Sequence, residues 1–307
     1  MTKGTTARRA RGGGNARDLY ADVTAKIIAE LEQGRFPWVQ PWDAAPTMPR
    51  NAVTGRRYSG VNILLLWTAA MGAGYPSQSW LTFRQALAAG GNVRKGEKGS
   101  LVVYSDRFIP DAEKARAAQS GDEPNAIPFL KCFTVFNVAQ CEGLPEKIAG
   151  DPAPRPLPEV VPEAEALIAA TGADFRIGGN DAFYVPAQDY VQVPPLAAFR
   201  NANDFYDTAF HELSHWTGGA KRLGREMKGG FGSPEYAREE LIAEISSAFI
   251  GATLGLVPTV RHADYLGYWL DILREDKRAI FRATAQATRA ADYILAFREG
   301  EERREAA

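Results

Sequence analysis

Cysteine and histidine are both scarce in this sequence, with two of the first and three of the second among 307 residues. Cys132 and Cys141 are too few for a disulfide framework and too far apart for a C-x-x-C site. No secretory-type segment precedes them, so a reduced, cytoplasmic setting is expected. A long apolar run is missing as well. The longest, residues 61–73, carries Asn62 and Thr68 and is too short to span a bilayer, so it reads as a buried helix and no membrane partner is expected. Net charge is nearly absent, at −1. That balance hides two unequal halves: residues 1–150 carry 19 Lys+Arg against 13 Asp+Glu, net +6, and residues 151–307 carry 17 against 24, net −7. The basic half is the one suited to an anionic polymer.

What remains is ordinary for a globular chain: 45% hydrophobic and 24% charged residues, in a length that accommodates two domains. Pro152, Pro154, Pro156, Pro158 and Pro162 mark a semi-rigid linker, placed at 148–162. It separates a domain at 16–147 from another at 163–298. Residues 1–15 form a basic arm with almost nothing to bury, and 299–307 a charged tail.

In the first half, Leu19, Tyr20, Val23, Ile27 and Leu31 follow helical spacing up to Gly34. Further helices are expected over 61–71 and 82–88. The glycine-punctuated basic turn 92–99 leads into a strand at 100–104 paired with 129–138, and 110–128 between them reads as an exposed insertion. Aromatic and cationic side chains recur along this half: Trp38, Trp42, Tyr58, Arg56, Arg57, Arg94, Lys95, Lys98 and Arg107. Single-stranded nucleic-acid sites pair a cationic groove with rings on which bases stack, and these nine residues are the candidates for one. The competing reading makes the rings core and the charges a solvated face.

The second half opens with a short helix at 163–170 and strands at 182–185 and 190–193, then reaches His211-Glu212-Leu213-Ser214-His215. Residues four apart share a helix face, so both imidazoles can reach one metal ion with Glu212 beside it as general base. This helix is expected to start at Asn201 or Asn203 and to end at Gly218-Gly219. Ser233-Pro234 starts another helix, running to about Leu254. Glu240 and Glu244 stack on it at i,i+4, where like charges repel unless a cation is near. Glu240 then reads as third ligand and Glu244 as acceptor for a ligating imidazole N–H, with Glu239 as rival ligand. The other reading is a solvated acidic face. For an oxyanion donor, Tyr190, Tyr236 and His262 are candidates.

Assembled, these blocks resemble the ArdC-type antirestriction proteins of conjugative plasmids and mobile elements. The resemblance covers nearly the whole chain. It rests on Gly55-Arg-Arg-Tyr-Ser-Gly-Val-Asn-Ile-Leu-Leu-Leu66, Trp80-Leu-Thr-Phe83, Gly91-Asn-Val-Arg-Lys-Gly-Glu-Lys-Gly99, Phe133-Thr-Val-Phe-Asn-Val138, His211-Glu-Leu-Ser-His-Trp-Thr-Gly218 and Glu239-Glu-Leu-Ile-Ala-Glu244. It implies an α+β fold in two domains. The first would bind single-stranded DNA without sequence preference; the second would be a zincin-like metallopeptidase domain with a small sheet, the H-E-x-x-H helix and further helices. It also implies protection of DNA entering a recipient cell from restriction enzymes. Carried over residue by residue, His211 and His215 match metal ligands, Glu212 the general base and Glu240 the acidic ligand. The implied cofactor is a divalent metal, Zn2+ first, with Mn2+ or another transition metal as alternatives. Two functions stay open: a DNA-binding shield with a metal site, or a metal-dependent protease acting on a protein substrate or a restriction-system component and localised by DNA.

Overall fold

The structure, a computed structural model, describes residues 18–39, 47–120, 123–149, 161–227, 229–230, 232–256 and 265–305. The basic arm, Trp42, most of the proline-rich segment and His262 lie outside the described residues. In the first half Asp18 accepts the N–H groups of Tyr20 and Ala21 and starts α1 (Leu19–Glu32), whose Val23, Ile27 and Leu31 form one buried stripe. β1 (Arg50–Asn51) precedes α2 (Val61–Ala73), which closes at Gly74 with φ +67, a left-handed conformation open to glycine. β2 (Ser79–Leu81) runs into α3 (Phe83–Ala88), started by a reciprocal Thr82–Gln85 capping box. Then come β3 (Asn92–Val93), β4 (Ser100–Phe108), α4 (Asp111–Ser120), β5 (Ile127–Asn137), β6 (Cys141–Glu142) and α5 (Glu146–Ala149).

Four of these strands form a sheet in the order β1-β2-β5-β4, and β3 pairs with β6 separately. The β4–β5 ribbon is longer than the sequence suggests, in register from Ser100↔Val135 to Phe108↔Ile127. The expected insertion at 110–128 contains α4. Its first turn carries Asp111 and Glu113, which suit a helix N-terminus and pair at i,i+3 with Lys114 (3.0 Å) and Arg116 (2.7 Å).

In the second half α6 (Pro162–Ala170) begins with proline at its first turn. β7 (Asp174–Ile177), β8 (Phe183–Val185) and β9 (Tyr190–Val193) form a sheet in the order β7-β9-β8, with β7 parallel and β8 antiparallel to β9. β7 had no sequence signal, because only Phe175 and Ile177 are apolar and Ile177 is exposed. The helices α7 (Ala202–Thr217), α8 (Pro234–Leu254), α9 (Leu266–Glu275) and α10 (Ala279–Glu305) complete the chain. Among the described residues, no helix is long and apolar enough to cross a membrane.

The fold is α+β, and its two halves share apolar packing. Val23, Ile27, Leu31, Trp38 and Trp67 belong to the same buried cluster as Phe210, Leu213, Phe249, Trp269 and Ile280. Trp38 meets Trp269 edge to face at 5.5 Å and Trp67 meets Phe249 at 5.7 Å. Polar links cross the same seam: Thr24 Oγ1 donates to Lys277 O at 2.8 Å, and the Gly60 N–H donates to Thr288 Oγ1 at 3.1 Å.

Candidate metal centre

The centre of the second half is the packing of α7 on α8. Asn201 caps α7 by accepting the Asp204 N–H at 3.0 Å. Phe205, Tyr206, Ala209, Phe210, Leu213 and Trp216 are all buried, so α7 is a core helix rather than a surface one. Ser233 caps α8 by accepting the Tyr236 N–H at 3.1 Å, with Pro234 at the first turn. Ser247 on α8 lies 2.7 Å from Asp207 Oδ1 and 2.8 Å from Asp207 O on α7, which fixes the two helices one turn from the histidines.

This packing brings His211, His215 and Glu240 together, with ligand atoms all within 4.8 Å of one another. His211 Nε2 is 3.2 Å from His215 Nε2 and 3.4 Å from Glu240 Oε2; His215 Nε2 is 3.4 Å from Glu240 Oε1. Two donors held at 2.0–2.1 Å from one tetrahedral ion stand roughly 3.3–3.4 Å apart. The observed separations match that edge, and two nitrogens with one carboxylate are a donor set suited to a divalent transition metal. Glu240 and His211 are 2% exposed at the side chain, so a charge on either needs a partner, and a cation between them would supply one.

Behind His215 stands a second carboxylate. His215 Nδ1 is 3.2 Å from Glu239 Oε1, so an Nδ1–H donated to Glu239 leaves the Nε2 lone pair facing His211 and Glu240. Glu239 is itself held by Arg225, whose Nη2 donates to Oε1 at 2.7 Å and Nε to Oε2 at 3.1 Å. Arg225 also donates to Thr217 Oγ1 at 2.8 Å and to Ser214 O at 2.6 Å, which ties the loop after α7 back onto that helix. Burial opposes a charge on His215, but the hydrogen bonds and charges of Glu239 and Glu240 outweigh it and push its pKa up to about 10. Burial likewise opposes the Glu240 carboxylate, and the two histidines more than offset it, holding its pKa well below the usual range.

A cleft of about 250 Å³ opens on these groups. Glu212 lines it, as do Phe183, Tyr184 and Pro186 from the β8 side and Tyr236 from the first turn of α8. Burial, and then the nearby Glu240 carboxylate, push the Tyr236 hydroxyl far above its ordinary pKa, so it stays a donor. Tyr190 sits away from the cleft, its ring covered by the Arg176 guanidinium at 3.8 Å. Glu244 is buried one turn beyond Glu240. In the sequence Glu239 reads only as a rival ligand and Arg225 carries no role; a Glu-Glu pair following an arginine-bearing loop is the available signal.

The nucleic-acid candidates of the first half fare unevenly. Trp38 is wholly buried against Phe36 and Trp269 and offers no face to a base, which removes it from that set. Tyr58 is half-buried on the apolar clusters. Arg56, Arg57, Arg94, Lys95 and Lys98 are exposed, with Arg94 paired to Glu97 at 2.8 Å and Arg57 within 3.5 Å of Thr253 Oγ1. Trp42 and the Arg107 side chain lie outside the described residues.

Comparison with known proteins gives two domain matches: residues 17–136 to the N-terminal domain of anti-restriction factor ArdC, and residues 162–286 to a zincin-like metallopeptidase. An uncharacterised protein, y4eC, of Sinorhizobium fredii is 41% identical over 300 residues, covering 94% of this chain and 95% of that one. A DNA primase TraC of Escherichia coli is 37% identical across 92% of this chain, which spans only 27% of that primase. Among solved structures, the metal-free crystal structure of antirestriction protein ArdC from plasmid R388 matches with TM-score 0.80 and 42% identity, covering 92% of this chain and 99% of that one. Its Mn(II)-bound form matches with TM-score 0.77 and 41% identity, over 92% and 98% of the two chains. With both domain matches in order and the y4eC and R388 ArdC chains aligned over nearly their full length, the chain belongs to the ArdC family of antirestriction proteins.

Proposed function

We propose that this antirestriction protein binds single-stranded DNA without sequence preference through its first half, and holds one divalent ion with His211, His215 and Glu240 in its second. The observation that carries the metal assignment is the trio of donor atoms at 3.2–3.4 Å, the spacing of ligands around a single ion. Two imidazoles and a carboxylate favour Zn2+, and the Mn(II)-bound relative makes Mn2+ the alternative. Glu239 orients His215, and Glu244 is assigned the same task for His211. The DNA assignment is supported by the match to the ArdC N-terminal domain, the net +6 of residues 1–150 and the exposed Arg56, Arg57, Arg94, Lys95 and Lys98. The two free cysteines, with Cys132 exposed, fit a reduced cytoplasm. Affinity for a single strand is expected to exceed that for the same duplex and to fall steeply with salt, read by fluorescence anisotropy. Equal or absent binding at low salt refutes the DNA assignment.

A second reading, a protease localised by DNA, is favoured by the cleft beside the trio. A divalent ion held there by His211, His215 and Glu240 would supply Lewis acidity toward a carbonyl and a water. Glu212 would take the proton of the attacking water, and the Tyr236 hydroxyl, kept protonated by burial and hydrogen-bonded to Glu240, lines the same cleft and would turn from Glu240 to donate to an oxyanion. A protein substrate or restriction-system component is then the partner. Glu212→Ala leaves metal and strand binding intact under both readings and separates them: if the variant protects incoming unmodified DNA as well as wild type does, proteolysis is not the basis of protection.

A further inference from the structure

The aromatic residues singled out from the sequence for base stacking are buried, half-buried or undescribed, yet the first half does carry a row of exposed rings. Tyr104 is 61% exposed, Phe108 55% and Phe133 49%, all on the β4–β5 ribbon. The register puts them on one face. Val102↔Phe133, Tyr104↔Lys131, Asp106↔Phe129 and Phe108↔Ile127 are successive same-face levels, so each of four levels carries one ring, alternating between the strands. Val102 is buried under α2 with Leu66 and Trp80, which anchors the ribbon at its base and leaves the outer levels projecting. Lys131 sits in the row with its ammonium 5.1 Å from the Phe129 ring centroid. The basic turn with Arg94, Lys95 and Lys98 leads directly into β4. The one acidic position among these levels is Asp106.

We infer that this face of the β4–β5 ribbon is the platform on which the bases of single-stranded DNA stack; the inference rests on the DNA-binding reading above and names its surface. Rings this exposed do not hold the fold together, and alternate residues of an antiparallel strand lie about 6.8 Å apart. Stacked bases lie about 3.4 Å apart. One level therefore accommodates one base and one ring. Four levels serve about four nucleotides, the lower end of the site sizes of single-strand binding folds. Stacking of this kind tolerates any base, because every base has a π-face, and Lys131 with the basic turn supplies the charge complementary to the phosphates.

The test measures binding of fluorescein-labelled oligo(dT) to the full chain over a range of salt, for wild type, Tyr104→Ala, Phe133→Ala, the double variant, Lys131→Ala and Tyr104→Trp. These positions are exposed, so the variants are expected to keep the wild-type circular dichroism. Each ring removal is expected to weaken binding about 5- to 150-fold with an unchanged slope of log affinity against log salt. Lys131→Ala is expected to reduce that slope by about 0.7. Tyr104→Trp is expected to retain binding, with its indole fluorescence quenched by the strand. If wild type binds oligo(dT) and the double variant binds equally well, the platform is wrong while the DNA reading stands. A change of oligomeric state in sedimentation, with strand affinity unaltered, assigns the face to a second copy of the chain and also overturns the proposal. Absence of wild-type binding at low salt overturns both.

Discussion

Glu239 and Glu240 are one position and about 100° apart around α8, and that rotation separates their tasks. Glu240 faces both Nε2 atoms, whereas Glu239 reaches the far side of the His215 ring and the Arg225 guanidinium. Arg225→Ala removes one of the two cationic partners of the buried Glu239 carboxylate, leaving it His215 alone, and is expected to lower stability by up to about 3–5 kcal/mol in denaturant unfolding; a change within experimental error contradicts the pairing. Glu239→Gln is expected to weaken metal affinity about 10- to 100-fold, because the acceptor that orients His215 loses its charge. The pH dependence follows from His215. Its pKa is raised from 6.5 to about 10, so the metal-free site keeps a proton at neutral pH, stabilising the fold fully below about 6.5 and losing that contribution as pH rises through about 10. A ligating imidazole must be neutral, so binding expels the proton and affinity increases with pH across that window. Calorimetry in two buffers of different ionisation enthalpy is expected to give different heats; identical heats contradict proton release.

At the scale of elements, the metal centre depends on how α7 and α8 begin. Ser233→Ala removes the acceptor of the Tyr236 N–H and is expected to cost about 1 kcal/mol of stability in thermal unfolding, with Tyr236 and the α8 carboxylates affected first. Much of this region is legible in sequence. The H-E-x-x-H spacing, the Asn201 cap and Ser233-Pro234 are local signals, and local signals survive in a bare sequence. β7 is not legible, because Asp174-Phe-Arg-Ile has too few apolar positions and becomes a strand only by pairing with β9. The exposed ring row is hidden for a related reason. Tyr104 and Phe133 look like any strand aromatics, and only the absence of a layer over that part of the ribbon, among the described residues, distinguishes them from core. Trp38 shows the converse: in the sequence it reads as a candidate stacking ring, while α9 supplies its cover from more than 200 residues away.

For the whole molecule, the charge asymmetry and the proline-rich segment divide the chain, yet the apolar cluster joins it. Leu31 of α1 is wholly buried in the cluster that includes Trp269 and Ile280. Leu31→Ala is expected to cost about 2–5 kcal/mol and to shift one cooperative unfolding transition monitored from both halves; two separate transitions contradict a shared core. The same packing places the first half directly against α8, the helix that carries Glu240, since Trp67 of α2 touches Phe249 of α8. The central claim is the ion itself. Metal content of the purified full-length chain, read by mass spectrometry after dialysis with Zn2+ or Mn2+, is expected to be one equivalent for wild type and near zero for the His211→Ala/His215→Ala double variant and for Glu240→Ala. Wild-type metal content in those variants contradicts it.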